Sequence, residues 1–140
     1  MSDISPDLIA NYYTTHYQVG TDSDRIILRI DQHSEPLSQL FIATNTACAA
    51  FISAYNPFSQ LRSTEDNLIA HTQLHQLLFQ HPKQIIEGMG IDPSGTWPAE
   101  KSWLVLGLDL DTAQTIAQQF NQNAIVWSNI NAIPKLILLR

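Results

Sequence analysis

Residues Ala49 to Asn67 read AAFISAYNPFSQLRSTEDN, a stretch that takes the chain from an apolar strand through a polar loop into a capped helix. Ala49, Ala50, Phe51 and Ile52 carry no charge and suit a strand buried on both faces in the middle of a sheet. Asn56 and Pro57 stop that strand. Ser63 then begins Ser-x-x-Asp, in which the serine hydroxyl accepts from the backbone N–H near Asp66. Glu65 and Asp66 stand beside the positive end of the helix so begun.

Toward the N-terminus, Ser5-Pro6-Asp7 predicts an N-cap, a proline at the first helical position and an acid in the first turn. Leu8, Ile9, Tyr12 and Tyr13 follow at helical spacing, and the helix is expected to end near Tyr17. Gly20 to Asp24 is a turn. Arg25 to Ile30 is a strand near an edge, with Ile26, Leu28 and Ile30 on one face and Arg25 and Arg29 on the other. Ser34-Glu35-Pro36 restarts a helix with Leu37, Leu40 and Phe41 inward, and the pattern fades at Thr44-Asn45.

Toward the C-terminus, the helix from Ser63 runs to about Gln80 with Asn67, Ala70, Leu74, Leu77 and Leu78 on one side, and His81-Pro82 ends it. Lys83 to Gly90 is a weaker strand, turned by Asp92-Pro93-Ser94-Gly95 into a hairpin. Trp103 to Leu106 is the next strand, closed by Gly107. Asp109 caps a helix that places Leu110, Ala113, Ile116, Ala117 and Phe120 on one face. Ala124 to Trp127 and Lys135 to Leu139 are the last strands.

From Ala49 to Trp127 the order is strand, helix, strand, strand, helix, strand. That order predicts an α+β two-layer sandwich with a ferredoxin-like (split βαβ) core, extra edge strands and an N-terminal helix, all in one domain over 1–140. A three-layer α/β sheet ranks second, because only the central run is apolar enough to be covered on both sides.

A net charge of −6, with seven scattered Lys and Arg, argues against nucleic-acid binding. Cys48 is the only cysteine, so no internal disulfide can form, and its apolar neighbours suggest a small buried side chain in a reducing cytoplasm. The acidic N-terminus has no basic segment followed by an apolar core, and no apolar run reaches bilayer-spanning length. A protein neither exported nor embedded in a membrane is expected.

Several pieces are similar to an uncharacterised bacterial family of small proteins, domain of unknown function 3293. They are Tyr13 with Thr15-His16-Tyr17; Phe51 to Pro57 with Ser59; Glu65 with Asn67; Trp97-Pro98 with Glu100, Ser102 and Leu104; Phe120 with Gln122 to Val126; and Leu138-Leu139-Arg140. The chain departs from the family pattern at Asn121, where glycine is usual, and at Lys101, where proline is common. The resemblance implies an identity and no activity.

In a split βαβ unit the exit of the strand at Asn56 shares one end of the sheet with Ser59, the helix start through Glu65 and Asn67, and the hairpin with Trp97. The strand entries at Glu100 and Ser102 and at Gln122 and Asn123 belong to the same end. Asn56, Ser59, Glu65, Asn67, Trp97, Glu100, Gln122 and Asn123 are therefore the candidate ligand-binding residues, an aromatic wall with several amides. The competing reading is that the amides satisfy loop backbone and that Glu100 pairs internally. Acids at the helix start disfavour phosphate there, so a neutral polar or cationic ligand fits better.

His71 and His75 lie one helical turn apart but lack a third ligand and the glutamate of H-E-x-x-H, so boundary packing is preferred and neither metal nor cofactor is expected. No G-x-S-x-G is present, and Gly88-x-Gly90 precedes a turn rather than a helix. The residues thus support a small cytoplasmic regulatory or adaptor module binding a polar ligand or a partner protein. The alternatives are a hydrolase-like enzyme using Glu100 as general acid or base and a structural homodimer.

Overall fold

A computed structural model describes residues 4–80 and 84–140. Four α-helices among the described residues are α1 (Pro6–Thr14), α2 (Glu35–Thr44), α3 (Thr64–Phe79) and α4 (Leu110–Gln119). The strands are β1 (His16–Val19), β2 (Ile26–Leu28), β3 (Ala49–Ile52), β4 (Gln84–Ile91), β5 (Glu100–Leu106), β6 (Ala124–Ser128) and β7 (Lys135–Leu138). They form one curled sheet in the order β2-β1-β4-β5-β3-β6-β7, with every neighbouring pair antiparallel.

The caps act as the residues dictate. Ser5, Ser34, Ser63 and Asp109 each accept from the backbone N–H three positions on, satisfying a donor that the first helical turn leaves free. The predicted end of α3 at His81-Pro82 lies outside the described residues.

Strand alternation sends Ala49, Phe51, Leu104, Leu106 and Val126 to one face, where Leu37 and Phe41 of α2 pack with Tyr17, Val19 and Leu28. It sends Ala50, Ile52, Trp103, Val105 and Ile125 to the other, against Leu74 and Leu78 of α3 and Ala113, Ile116 and Ala117 of α4. Each fully buried large aliphatic among them contributes about 1.5–3 kcal/mol of transfer free energy.

The two longer α-helices of the central segment do share a face, but two layers do not describe the whole. Helix α2 covers the opposite face, and β5 as well as β3 is buried on both sides from Ser102 to Leu106. A second correction concerns Thr15. Its backbone N–H and hydroxyl both bond the Asn11 carbonyl, at 3.1 and 2.7 Å, and its extended ψ of 142° closes α1. His16 to Val19, expected partly as helix, instead pair with β2 on one side and β4 on the other. The anticipated edge strand is shorter than expected and does lie at the edge.

Candidate functional site

The chain leaves β3 through a loop whose backbone is held in uncommon conformations. Asn56, Phe58 and Ser59 have φ of 47°, 56° and 58°, in the left-handed region that costs a residue with a Cβ on the order of 1 kcal/mol or more. Surrounding bonds enforce this path. The Phe58 N–H donates to the Asn121 carbonyl at 2.8 Å, and the Ser59 N–H donates to the Asn56 carbonyl at 2.8 Å.

Asn56 is the hub. Its backbone N–H donates to Asn67 Oδ1, and its own Oδ1 accepts from Asn67 Nδ2 and the Arg62 N–H, all at 2.9 Å. That fixes the amide so that Nδ2 points at Glu100 Oε2, 2.8 Å away. The Trp97 indole N–H donates to the same oxygen at 2.8 Å. Glu100 Oε1 takes no bond from a protein group among the described residues. Burial raises the Glu100 pKa above the ordinary glutamate value, outweighing the opposite pull of Trp97 and Asn56.

A second network adjoins the first. Asn123 Nδ2 donates to Ser59 Oγ at 2.8 Å, and the Tyr12 hydroxyl of α1 reaches the same oxygen at 3.4 Å. Arg140 donates to Asn123 Oδ1 at 2.8 Å and lies 4.4 Å over the Phe58 ring. Tyr17 donates its hydroxyl proton to the Tyr12 carbonyl at 2.7 Å, tying α1 to β1. Burial raises the pKa of Tyr12 and of Tyr17, so both hydroxyls remain neutral through the physiological range.

Between these networks and α1 lies a cavity of about 450 Å³. Tyr12, Tyr17, Phe51, Tyr55, Phe58 and Trp97 give it aromatic walls, and its carboxylates are Asp7, Asp92 and Glu100. No Lys, Arg or His among the described residues lines it. Bonds from Ser94 and then from the Trp97 N–H hold the Asp92 pKa below its ordinary value.

Of the eight residues expected at this end, Asn56, Ser59, Trp97, Glu100 and Gln122 line the cavity. Asn67 and Asn123 stand behind it, buried, holding Asn56 and Ser59 in place. Glu65 is exposed in the first turn of α3 and lines no part of the cavity, so the acids that bear on ligand charge are Asp7, Asp92 and Glu100 instead. The sequence reading missed Tyr17, Tyr55 and all of α1 as wall. Helical spacing places Tyr12 on an apolar face, and nothing in the sequence shows that its hydroxyl reaches Ser59.

His71 and His75 both lie against Trp103, with ring centroids 4.3 and 4.5 Å from it. His71 is buried rather than at the boundary, and its Nδ1 is buried without a hydrogen-bond partner. Among the described residues no group of three or more His, Cys, Asp or Glu is placed to hold a metal ion. Nor is any described helix long and apolar enough to cross a membrane. Cys48 is half-buried, its Sγ donating to the Leu108 carbonyl at 3.3 Å.

No curated protein and no solved structure matches the chain. A family model described as "Protein of unknown function (DUF3293)" matches residues 52–125, from the end of β3 to the start of β6. That span holds Asn56, Ser59, Asn67, Trp97, Glu100, Gln122 and Asn123, whereas α1 and the terminal Arg140 fall outside it. Since the match covers more than half of the 140 residues, the chain belongs to the DUF3293 family.

Proposed function

We propose that the protein is a small-ligand binding module whose site is the cavity between α1 and the loops at the Asn56 end of the sheet. The carrying observation is Glu100. A half-buried carboxylate with both protein donors on Oε2 keeps Oε1 as an acceptor for a guest. The volume of about 450 Å³ falls in the range of small-molecule sites, and strained loop residues cluster at functional sites. We read β3-α3-β4-β5-α4-β6 as a ferredoxin-like unit, a reading supported by the order β4-β5-β3-β6 with antiparallel neighbours. A lone cysteine without a disulfide fits a reducing cytoplasm.

A thermal-shift screen against a library of small metabolites tests the proposal. A ligand at one hundred times its Kd adds about 2.7 kcal/mol, which is several degrees of Tm for a domain of this size. At least one compound is expected to give a saturable shift that is lost in Tyr12→Ala, which opens the α1 wall. A library with no such compound would overturn the proposal.

A further inference from the structure

We infer that the ligand is an organic cation, an ammonium group attached to a compact apolar or aromatic body. The inference rests on reading the cavity as a ligand site and narrows what that site accepts.

Charge comes first. The walls carry three carboxyl side chains and no Lys, Arg or His among the described residues. Arg140 lies beyond Phe58 and Asn123 and does not line the space. An anion entering here would meet carboxylates with no compensating cation, whereas an ammonium group would meet an acceptor. Glu100 Oε2 is already occupied by Asn56 and Trp97, so the group left to receive an N–H of the guest is Oε1. A half-buried carboxylate without a counter-ion is partly desolvated, and a bound cation relieves that condition where a neutral guest does not.

The walls supply the second argument. Six aromatic side chains line the cavity, and ring faces attract cations by their quadrupole while also burying apolar surface. Hydroxyl and amide groups of Ser59, Asn56 and Gln122 are largely engaged with the chain itself. Besides the carboxylates, the polar contacts the lining leaves to a guest are chiefly the Tyr55 hydroxyl and the Asn11 amide. That combination suits a guest with one cationic head and an apolar body, and suits a sugar or a nucleotide poorly.

Isothermal titration with three probes of similar size tests this: benzylammonium, benzyl alcohol and benzoate. Benzylammonium is expected to bind at least about tenfold more tightly than benzyl alcohol, the scale of one charge-assisted hydrogen bond. Benzoate is expected to give no heat. In Glu100→Gln the preference for ammonium over alcohol should collapse to about twofold or less. The wild-type ratio decides the matter even if the variant folds poorly. Alcohol binding as tightly as ammonium, or benzoate binding at all, would overturn the cation assignment and leave the binding module standing. Silence of all three probes alongside a neutral library hit would do the same. Silence of the probes and of the whole library would overturn both readings.

Discussion

Asn67→Ala isolates the support beneath the site. The substitution removes the acceptor of the buried Asn56 backbone N–H and one of two donors to Asn56 Oδ1. The orphaned N–H costs about 1–3 kcal/mol, whereas Oδ1 keeps its bond from the Arg62 N–H and loses little. The void left by the amide adds up to ~1 kcal/mol, and alanine's better helix propensity in α3 returns roughly 0.5 kcal/mol. A net loss of about 0.5–3.5 kcal/mol is expected, read by urea unfolding followed by far-UV circular dichroism. Asn56 also loses the clamp that aims Nδ2 at Glu100, so ligand affinity should fall although Asn67 lines no part of the cavity. A double-mutant cycle with Asn56→Gly should be strongly non-additive, because both side chains belong to one network. A loss below about 0.5 kcal/mol, or additivity in the cycle, would refute the claim that Asn67 holds Asn56 in its left-handed conformation.

Three further outcomes follow from single groups. Burial holds the Glu100 pKa above its ordinary 4.5, so its stabilising contribution is complete below that value and is lost as pH rises through the folded-state pKa. Glu100→Gln, which can keep both bonds to one oxygen, should therefore gain in Tm relative to wild type as pH rises from the acid side toward neutrality; a pH-independent difference would refute this. His71 has the opposite sign: burial first, then Lys101 and His75, hold its pKa below 6.5 against a weaker pull from Glu87. Its contribution is present above 6.5 and lost as pH falls through the folded-state value, so His71→Phe, which retains a ring on Trp103, should flatten the acid limb of the Tm profile. An unchanged limb would place the titration elsewhere. At Gly88 an added Cβ would lie 2.7 Å from the Gln18 carbonyl of β1 and 2.8 Å from the Phe51 ring. Gly88→Ala should thus destabilise by about 1–3 kcal/mol and alter the cavity wall that Phe51 forms, and full stability in chemical denaturation would contradict the packing.

Much of this architecture is legible from local chemistry. Ala49 to Ile52 contain no polar side chain and are buried throughout, and Ser63 and Asp109 cap the helices their sequences announce. Strand β1 is not legible, because His16-Tyr17-Gln18-Val19 is four residues long and follows a helical spacing of tyrosines. Its identity comes from partners on β2 and β4 that are distant in sequence. Glu65 and Asn67 show the limit of reasoning by segment: two residues apart on a helix they point about 200° apart, and one is exposed while the other is buried. Asn121 has φ of 55°, a conformation that asparagine tolerates better than most residues with a Cβ, so its place in a left-handed turn does have a local signal.

The left-handed residues also set a folding order. Asn56, Phe58, Ser59 and Asn121 occupy two loops joined by the Phe58 N–H to Asn121 carbonyl bond, and each loop adds to its own short-range turn bonds a partner supplied by another element. Loop 56–59 needs Asn67 in a formed α3, and Asn121 needs the end of a formed α4. The cavity is therefore expected to form with or after the sheet and both helices. Substitutions in these loops should change the unfolding rate while leaving the refolding rate nearly untouched, and their amides should exchange with solvent through openings shallower than global unfolding. A site assembled in this order is expected to open before the core around Leu74, Leu104 and Val105 does, so exchange at the loop amides should outpace exchange at those three.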